Sequence, residues 1–472
     1  MPHQQDRRQF LKTSATIGIG YFVAANAGAQ EPAPRKGRGK KKRAAAEGEK
    51  PKSPGEQIAF ACIGVTGKGG SDSADAGSNG NVVAICDADE QRLNNAGDKR
   101  FPKAKRYTDF RKMLDEMGKS IDAVTVSTPD HVHAPAALMA MRLGKHCFCQ
   151  KPLTRTVYEA RMMGKVAREK KVATQMGNQG TASRQLRQAA AWLRAGVLGA
   201  VSEVHIWTNR PIWPQGQDRP AGEDPVPANL KWDLWIGPSP MRPYKGKHVD
   251  TPVRIDGEIV KRLTSGNVYH SFVWRGWFDF GSGALGDMGC HEINMAYMGL
   301  DLRNPVSIEA KTSGHNKDSF PAWSIVTYQF AATDKRPAVK MVWYDGGKRP
   351  PAELLEGVEV RAEGQLAIGD KGKLLGTGQF LGKGAVERPK VEYPISPGHF
   401  EEWVRAIRGG EPAMSNFPDY AGPLAETVLL GNLAVWCGQR VEWDAENLKA
   451  KNVEGLETLI KPVYRQGYTL DV

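Results

Sequence analysis

The sequence predicts an α/β fold, with a doubly wound parallel sheet first and then an α+β domain with an open, mostly antiparallel sheet. From residue 57 onward, short β-branched apolar runs alternate with amphipathic stretches, as in right-handed βαβ units. A glycine-rich turn follows the first of these runs. Further along, residues 203–208, 323–330 and 338–344 alternate apolar and polar side chains, which indicates strands with one buried face.

The composition excludes several classes of protein and leaves the basic charge to be explained. The chain has 472 residues, 40% of them hydrophobic and 25% charged, with a formal net charge of +13. These values exclude a wholly disordered chain, a disulfide-dense miniprotein and a polytopic membrane protein. Residues 1–54 carry 12 basic and 4 acidic groups, so the body is close to charge balance and no nucleic-acid partner is expected.

Residues 1–29 resemble a twin-arginine signal peptide. Arg7 and Arg8 precede an uncharged, weakly apolar run from Thr13 to Ala29, whose 17 residues are too few for a stable membrane span. We therefore expect export by the twin-arginine machinery to a periplasmic or other extracytoplasmic location. An amphipathic N-terminal helix is the alternative.

The next segment, residues 30–54, has almost no large apolar side chain and predicts a basic disordered linker. A charge tether to anionic lipid or polymer is the alternative. We divide the body into a dinucleotide-binding Rossmann domain at 55–178 and an α+β substrate and oligomerisation domain at 179–472.

The first strand of the body, residues 57–63, leads into a turn that suits a bound pyrophosphate. Glycine supplies positive φ and lets backbone N–H groups approach the phosphates, so the cofactor candidates here are Gly64, Gly67, Lys68 and Gly69. Asp87 ends the second strand, where a carboxylate can bind the ribose hydroxyls and repel a 2′-phosphate. The pattern favours NAD over NADP, although a plain turn and a plain strand end remain possible.

Two further loops follow strand patterns and are expected at the same edge of the sheet. Residues 121–126 lead into Ser127, Thr128, Pro129 and His131, and residues 145–149 lead into Gln150 and Lys151. We predict that these six side chains also contact the dinucleotide.

Together, the segments IGVTGKG, CDAD, STPDHVHA and CQKPLT resemble the Gfo/Idh/MocA family, the relatives of glucose–fructose oxidoreductase and inositol dehydrogenase. The resemblance runs from about residue 56 to the C terminus. It implies an NAD(P)-dependent oxidoreductase in which Lys151 is the general acid/base residue. The family usually has Glu-Lys-Pro at the last motif, whereas Gln150 stands here in place of the glutamate.

A second catalytic segment is expected far downstream, at Asp287 and His291. Four residues apart on a helix, these side chains share one face, and the carboxylate could orient the imidazole by a hydrogen bond. The spacing resembles the family's Asp-x-x-x-His motif, whose members join the lysine in proton removal. A helix cap and a core histidine are the alternatives. Because no second histidine accompanies them, we expect no metal site.

Four residues are candidates for substrate binding. Asn178 and Gln179 occupy a turn after a strand, and the resemblance implies that this turn lies near the nicotinamide and substrate; a plain turn is the alternative. His270 and Arg275 are interleaved with aromatic residues. This aromatic-rich stretch could form a carbohydrate platform or, alternatively, hydrophobic core; its members are Trp207, Trp213, Trp232, Trp235, Tyr269, Phe272, Trp274, Trp277, Phe278 and Phe280.

We therefore expect an exported oxidoreductase that acts on a hydroxyl of a sugar, sugar derivative or cyclitol, with Lys151 and His291 handling the proton. Because free NAD is scarce outside the cytoplasm, we expect the cofactor to be tightly bound. One alternative is a glycosidase or lyase that oxidises its substrate transiently, eliminates and re-reduces. Another is a non-catalytic binding protein on the same fold. An open sheet face would suit a homo-oligomer.

Overall fold

A parallel sheet with helices on both faces forms the first domain. The computed structural model describes residues 57–382 and 388–470, so the predicted signal and linker lie outside the described residues. Six strands of the described chain run in the order β3-β2-β1-β4-β5-β6, with every neighbouring pair parallel. They are β1 (Ile58–Ile63), β2 (Gly80–Cys86), β3 (Lys105–Tyr107), β4 (Ala123–Val126), β5 (His146–Cys149) and β6 (Thr174–Met176).

The helices of this domain connect successive strands and cover the sheet. They are α1 (Lys68–Asn79), α2 (Glu90–Lys99), α3 (Phe110–Met117), α4 (Asp130–Arg142) and α5 (Val157–Lys170). Because helices cover both faces, β1 is buried at every position except the half-buried Ala59. The loops that follow β1, β2, β4 and β5 meet at the carboxyl edge of the sheet, where ligands bind in folds of this kind.

The second domain is built on a larger, mostly antiparallel sheet. In the described residues it has nine strands in the order β15-β14-β13-β7-β12-β11-β10-β16-β17, and only the β7–β12 pair is parallel. These strands are β7 (Val201–Trp207), β10 (Ser307–Thr312), β11 (Ser324–Phe330), β12 (Val339–Tyr344), β13 (Gly364–Gly369), β14 (Gly372–Leu375), β15 (Gln379–Leu381), β16 (Val441–Asp444) and β17 (Lys449–Ala450). A separate hairpin pairs β8 (Thr251–Ile255) with β9 (Glu258–Leu263). The predicted fold class is confirmed.

One buried helix joins the two domains. The remaining helices are α6 (Arg184–Arg194), α7 (Trp232–Ile236), α8 (Gly283–Glu292), α9 (Asn294–Leu300), α10 (His399–Ile407), α11 (Gly422–Cys437) and α12 (Glu457–Ile460). Helix α11 packs against α5 of the first domain and against α8, β10 and β11 of the second. This packing brings α8, which carries Asp287 and His291, towards the edge of the parallel sheet. Over the part of the chain described, no helix is long and apolar enough to cross a membrane.

Candidate active site

A turn with two glycines at positive φ joins β1 to α1. The φ angles are 77° at Gly64 and 57° at Gly67. A Cβ at Gly64 would lie 2.4 Å from the carbonyl oxygen of Ser127, so a side chain does not fit there. Around Gly67 the space is open, and among the described residues no side chain caps the N terminus of α1. The first N–H groups of α1 are therefore left for a bound anion, and this turn fits the pyrophosphate of a dinucleotide.

Asp87 lies beside the same turn. One of its carboxylate oxygens accepts a hydrogen bond from the backbone N–H of Val65 at 3.3 Å, and the other accepts one from that of Asp89 at 3.1 Å. Burial raises the pKa of Asp87 to about 6, against the lowering effect of these hydrogen bonds and of Arg92. The guanidinium of Arg92 donates to the hydroxyl of Thr66 at 3.0 Å, so a cation stands near the carboxylate that we expect at the ribose.

Lys151 and Asp287 are brought together although 136 residues separate them in sequence. The Lys151 ammonium donates to the backbone oxygen of Asp287 at 2.7 Å and to its Oδ1 at 3.0 Å. The same Oδ1 accepts a hydrogen bond from Nε of Arg275 at 3.0 Å. Burial alone would raise the pKa of Asp287, but the two cations outweigh it and hold that pKa well below its usual range. Arg275, which is predicted to bind substrate, thus holds the Asp287 carboxylate in position.

The predicted hydrogen bond between Asp287 and His291 is wrong. The Asp287 carboxylate turns to Lys151 and Arg275, and within the described part of the chain the His291 imidazole has no hydrogen-bond partner. Burial and the nearby positive charge of Lys151 lower the pKa of His291 to about 3, so the imidazole is neutral at pH 7. A neutral ring that is half-buried and unpaired keeps one nitrogen free to accept a proton from a ligand.

A second carboxyl group, Asp130, was missed in the sequence and lies close to this ion pair. It is 4% exposed, and the hydroxyl of Ser282 donates to its Oδ2 at 2.7 Å. Burial raises the pKa of Asp130 to about 7, although the charges of Arg275 and Lys151 act in the opposite direction. The signal that could have found it is an acid at the first position of a helix that follows a strand of the parallel sheet.

Asp72, on the first turns of α1, explains the glutamine at position 150. It is 1% exposed and accepts hydrogen bonds from Ser127 Oγ at 2.7 Å and from Gln150 Nε2 at 2.8 Å. Lys68 also pairs with this carboxylate. A glutamate at position 150 would face Asp72 with a second negative charge, whereas the amide donates a hydrogen bond to it. Three predicted cofactor residues, Lys68, Ser127 and Gln150, therefore meet around one buried carboxylate.

The remaining predicted cofactor residues differ in their placement. Gly69 lies in the first turn of α1, where a Cβ would come within 2.2 Å of the Gly64 carbonyl oxygen, and Thr128 and Pro129 lead into α4. His131 is 1% exposed, and its ring nitrogens face the carbonyl oxygens of Phe280 at 3.2 Å and Trp235 at 3.0 Å. Because both nitrogens contact the second domain, the structure assigns His131 a role in domain packing and not in binding the cofactor.

Two of the predicted substrate-binding residues form side-chain contacts with other parts of the protein. Asn178 is fully buried, and its Oδ1 accepts a hydrogen bond from Ser415 Oγ at 2.7 Å. His270 contacts the Asp89 carboxylate at 3.0 Å, at the start of α2. The prediction for Asn178 is corrected on this ground, and the one for His270 stays a prediction. Gln179 is exposed at the start of a 3₁₀ turn and stays available to a ligand.

Comparison with known families agrees with this geometry. Residues 58–178 match the oxidoreductase family with an NAD-binding Rossmann fold, and residues 260–470 match the C-terminal alpha/beta domain of the same oxidoreductase family. The chain belongs to the Gfo/Idh/MocA family of oxidoreductases. It is therefore an enzyme of a class that binds NAD(H) on a Rossmann fold, as expected.

Individual relatives are similar over limited stretches. Levoglucosan dehydrogenase of Pseudarthrobacter phenanthrenivorans is 28% identical over 103 residues, which cover 22% of this chain and 26% of that protein. Alpha-N-acetylgalactosaminidase of Shewanella oneidensis is 30% identical over 168 residues, or 33% of this chain and 36% of that protein. The matched regions thus span about a quarter to a third of these two relatives.

Likeness to solved structures extends over more of the chain. A crystal structure of the WlbA dehydrogenase from Bordetella pertussis, in complex with NADH and UDP-GlcNAcA, superposes with a TM-score of 0.54 at 15% sequence identity. The superposition covers 82% of this chain and 99% of that one. At this identity the likeness establishes the shared fold.

Proposed function

We propose that the protein transfers a hydride between a hydroxyl-bearing carbon of a sugar, sugar derivative or cyclitol and NAD. The observation that carries this proposal is the ion pair of Lys151 and Asp287 at 3.0 Å, next to the neutral His291, at the carboxyl edge of the Rossmann sheet. The levoglucosan dehydrogenase and WlbA relatives support a carbohydrate substrate.

The nicotinamide supplies the hydride acceptor or donor, and the protein handles the proton. In oxidation, His291 accepts the proton of the substrate hydroxyl through its free nitrogen. The Lys151 ammonium, held by Asp287, donates a hydrogen bond to the oxygen on which negative charge develops. In reduction the Lys151 ammonium polarises the carbonyl oxygen and supplies the proton to it, because His291 is neutral at pH 7. Arg275 keeps the Asp287 carboxylate ionised throughout.

Replacement of the lysine tests the mechanism. Loss of a positioned acid/base group costs about 10²- to 10⁴-fold in rate, so Lys151→Ala is expected to lower kcat by that factor while NADH binding persists. Lys151→Arg serves as a charge-matched control, because it retains a cation beside Asp287 but cannot exchange a proton at pH 7. Unchanged turnover in Lys151→Ala on a proven substrate would refute the mechanism.

The cofactor in this proposal is NAD rather than NADP, and it is tightly held. Asp87 beside the glycine turn supports the choice of NAD, since a 2′-phosphate would meet a carboxylate there. Mass spectrometry of the purified, exported protein after mild denaturation is expected to find NAD at a ratio close to one per chain. Absence of nucleotide would remove tight binding from the proposal without affecting the catalytic one.

A second candidate function is glycoside cleavage by transient oxidation, elimination and re-reduction. It is favoured by the similarity to the Shewanella glycosidase and by Asp130, a carboxyl group whose pKa of about 7 suits an additional acid or base. Purified protein without added NAD is assayed on aryl glycosides and, separately, on free sugars. Release of the aryl group supports cleavage, whereas a cofactor absorbance change with free sugars alone supports the dehydrogenase.

We also propose that the enzyme is exported by the twin-arginine route and acts as a homo-oligomer outside the cytoplasm. The Arg7-Arg8 pair supports the export proposal. Replacement of both arginines by lysine is expected to leave the protein in the cytoplasmic fraction, as seen by immunoblotting of cell fractions. Light scattering of the mature protein tests the oligomer, and a monomer mass would refute it.

A further inference from the structure

The aromatic-rich stretch of the second domain is mostly hydrophobic core. Eight of its ten members are buried, with exposed fractions of at most 8%: Trp207, Trp213, Trp232, Trp235, Tyr269, Trp274, Trp277 and Phe280. Phe278 is half-buried and packs against Phe320 and Trp436. Phe272 differs from all of them, because 46% of it is exposed. Of the ten aromatic residues considered from the sequence as a carbohydrate platform, Phe272 is therefore the one with an exposed ring.

The backbone of Phe272 is strained in a way that core packing does not explain. Its φ of 74° lies in the region that residues with a side chain rarely adopt. Such strain costs of order 1–3 kcal/mol and concentrates at functional sites. A large apolar side chain that is half exposed recovers little of this cost by burial. The strain therefore points to a function of this ring.

The ring of Phe272 is fixed in place by two neighbours. The guanidinium carbon of Arg275 lies 4.6 Å from its centroid, and Nη1 of Arg275 donates to the Phe272 carbonyl oxygen at 3.0 Å. Trp213 meets the ring at right angles, with centroids 5.8 Å apart. Because these contacts hold the ring while much of it stays exposed, Phe272 presents a fixed apolar surface to a ligand.

This surface adjoins the catalytic centre. Arg275 donates through Nε to Oδ1 of Asp287 at 3.0 Å, and the Lys151 ammonium contacts that same oxygen at 3.0 Å. One guanidinium and one carboxylate thus separate the Phe272 ring from the reactive lysine. The Phe272 ring thus contacts the same ion-pair network that holds the reactive lysine.

We propose that Phe272 is the stacking platform for the substrate, on which the C–H face of a pyranose or cyclitol ring packs while one of its hydroxyls points to Lys151. The face of an aromatic ring is electron-rich, and the axial C–H bonds of such rings carry a partial positive charge, so the two surfaces are complementary. The inference rests on the proposed function, since it requires a sugar-like substrate. The competing role is a shield that keeps water from the Arg275–Asp287 pair.

The test compares Phe272→Leu, Phe272→Tyr and the wild type, each loaded with NADH, with methyl β-D-glucopyranoside, N-acetylglucosamine and myo-inositol as probes. Binding is measured by calorimetry and by saturation-transfer NMR, which reports the probe C–H groups that touch the protein. Val249→Ala, at a residue that is 69% exposed, serves as a surface control. The melting temperature and NADH affinity of each variant establish that the fold is intact.

An aromatic contact is worth about 0.5–1.5 kcal/mol, so Phe272→Leu is expected to weaken binding of a recognised probe by about 2- to 10-fold and to raise KM more than it lowers kcat. Phe272→Tyr should retain wild-type affinity. Equal probe binding in Phe272→Leu and wild type overturns the platform and leaves the proposed function standing. A change in the pH profile of turnover without a change in KM also overturns the platform, because it is the result expected if Phe272 only shields the Arg275–Asp287 pair from water.

The remaining outcomes separate the two proposals. If the wild type binds a probe through Phe272 but transfers no hydride to or from any of them, the platform is supported and the redox proposal is overturned. If the NADH-loaded wild type binds none of the three probes, the platform proposal is overturned.

Discussion

The buried pair of Asp72 and Gln150 gives the sharpest test of how the site is built. The Gln150 amide donates to the Asp72 carboxylate at 2.8 Å. Gln150 is 5% exposed and Asp72 is 1% exposed. Gln150→Glu preserves the shape of the side chain and restores the residue usual in the family. In this chain, however, it replaces a hydrogen-bond donor by a second carboxyl group.

The size of the effect follows from the geometry. Two like charges about 4 Å apart at an effective dielectric constant of about 20 repel by about 4 kcal/mol. Lys68 offsets part of this repulsion, but only part, because its side chain is 46% exposed. We therefore expect Gln150→Glu to lower the free energy of unfolding by about 2–4 kcal/mol when both carboxyl groups are ionised.

The sign of the pH dependence is fixed by the same argument. Repulsion raises the pKa of the introduced carboxyl in the folded state, so the protonated form, which can donate to Asp72, is well tolerated at low pH. Stability is then lost as the pH rises from about 4, the unfolded-state pKa, through the raised folded-state value. Wild type and variant should differ little at about pH 5 and most at about pH 8.

Urea unfolding of wild type, Gln150→Glu, Asp72→Asn and the double variant at both pH values measures the effect. The double variant should recover most of the lost stability at the higher pH, because the amide introduced at position 72 donates to the carboxyl introduced at position 150. If Gln150→Glu loses no more stability at high pH than at low pH, or if Asp72→Asn does not rescue it, the explanation of Gln150 fails.

Three other replacements probe separate parts of the site. Asp287→Asn keeps the shape of the side chain but removes the charge that binds Lys151 and Arg275, so kcat should fall by about 10²-fold or more in steady-state assays, while NADH affinity is retained. Asp87→Ser removes the carboxylate near the ribose and leaves the Arg92 cation in place. Fluorescence titration should then show the ratio of NADPH affinity to NADH affinity rising about tenfold. An unchanged ratio would contradict the role of Asp87. Because burial raises the pKa of Asp130 to about 7, ionisation of this group lowers the free energy of unfolding as the pH rises from about 4 through 7. Asp130→Asn should therefore lose less unfolding free energy between about pH 5 and about pH 8 than the wild type does.

The parts of the site that depend on local pattern could be predicted from the sequence. Gly64 and Gly67 do adopt positive φ between a strand and a helix, and Asp87 does follow directly after β2, beside that turn. Helix α11 ends in the same local way, at Gly438 with a φ of 70°. Such features follow from strand and helix periodicity and from the backbone freedom of glycine, which act over a few residues.

The parts that depend on distant packing could not be predicted in this way. The spacing of Asp287 and His291 indicated a shared helix face, but the Asp287 carboxylate is drawn to Lys151, a residue 136 positions away in sequence. Asn178 looked free in its turn, yet Ser415, 237 positions away, donates a hydrogen bond to it. Side-chain partners of this kind are set by the docking of two domains, which no local pattern encodes.

The docking of the domains also explains how the catalytic centre is assembled. Lys151 comes from the first domain, whereas Arg275 and Asp287 come from the second, so the ion pair forms only when the two are packed together. Lys151 and Arg275 contribute two positive charges, and the ionised Asp287 contributes one negative charge. Because the pKa of Asp130 is about 7, its proton decides whether these four side chains together carry a net charge of +1 or none. A net positive charge stabilises the developing negative charge on a substrate oxygen, so we expect loss of the Asp130 proton to weaken that stabilisation as the pH rises above 7.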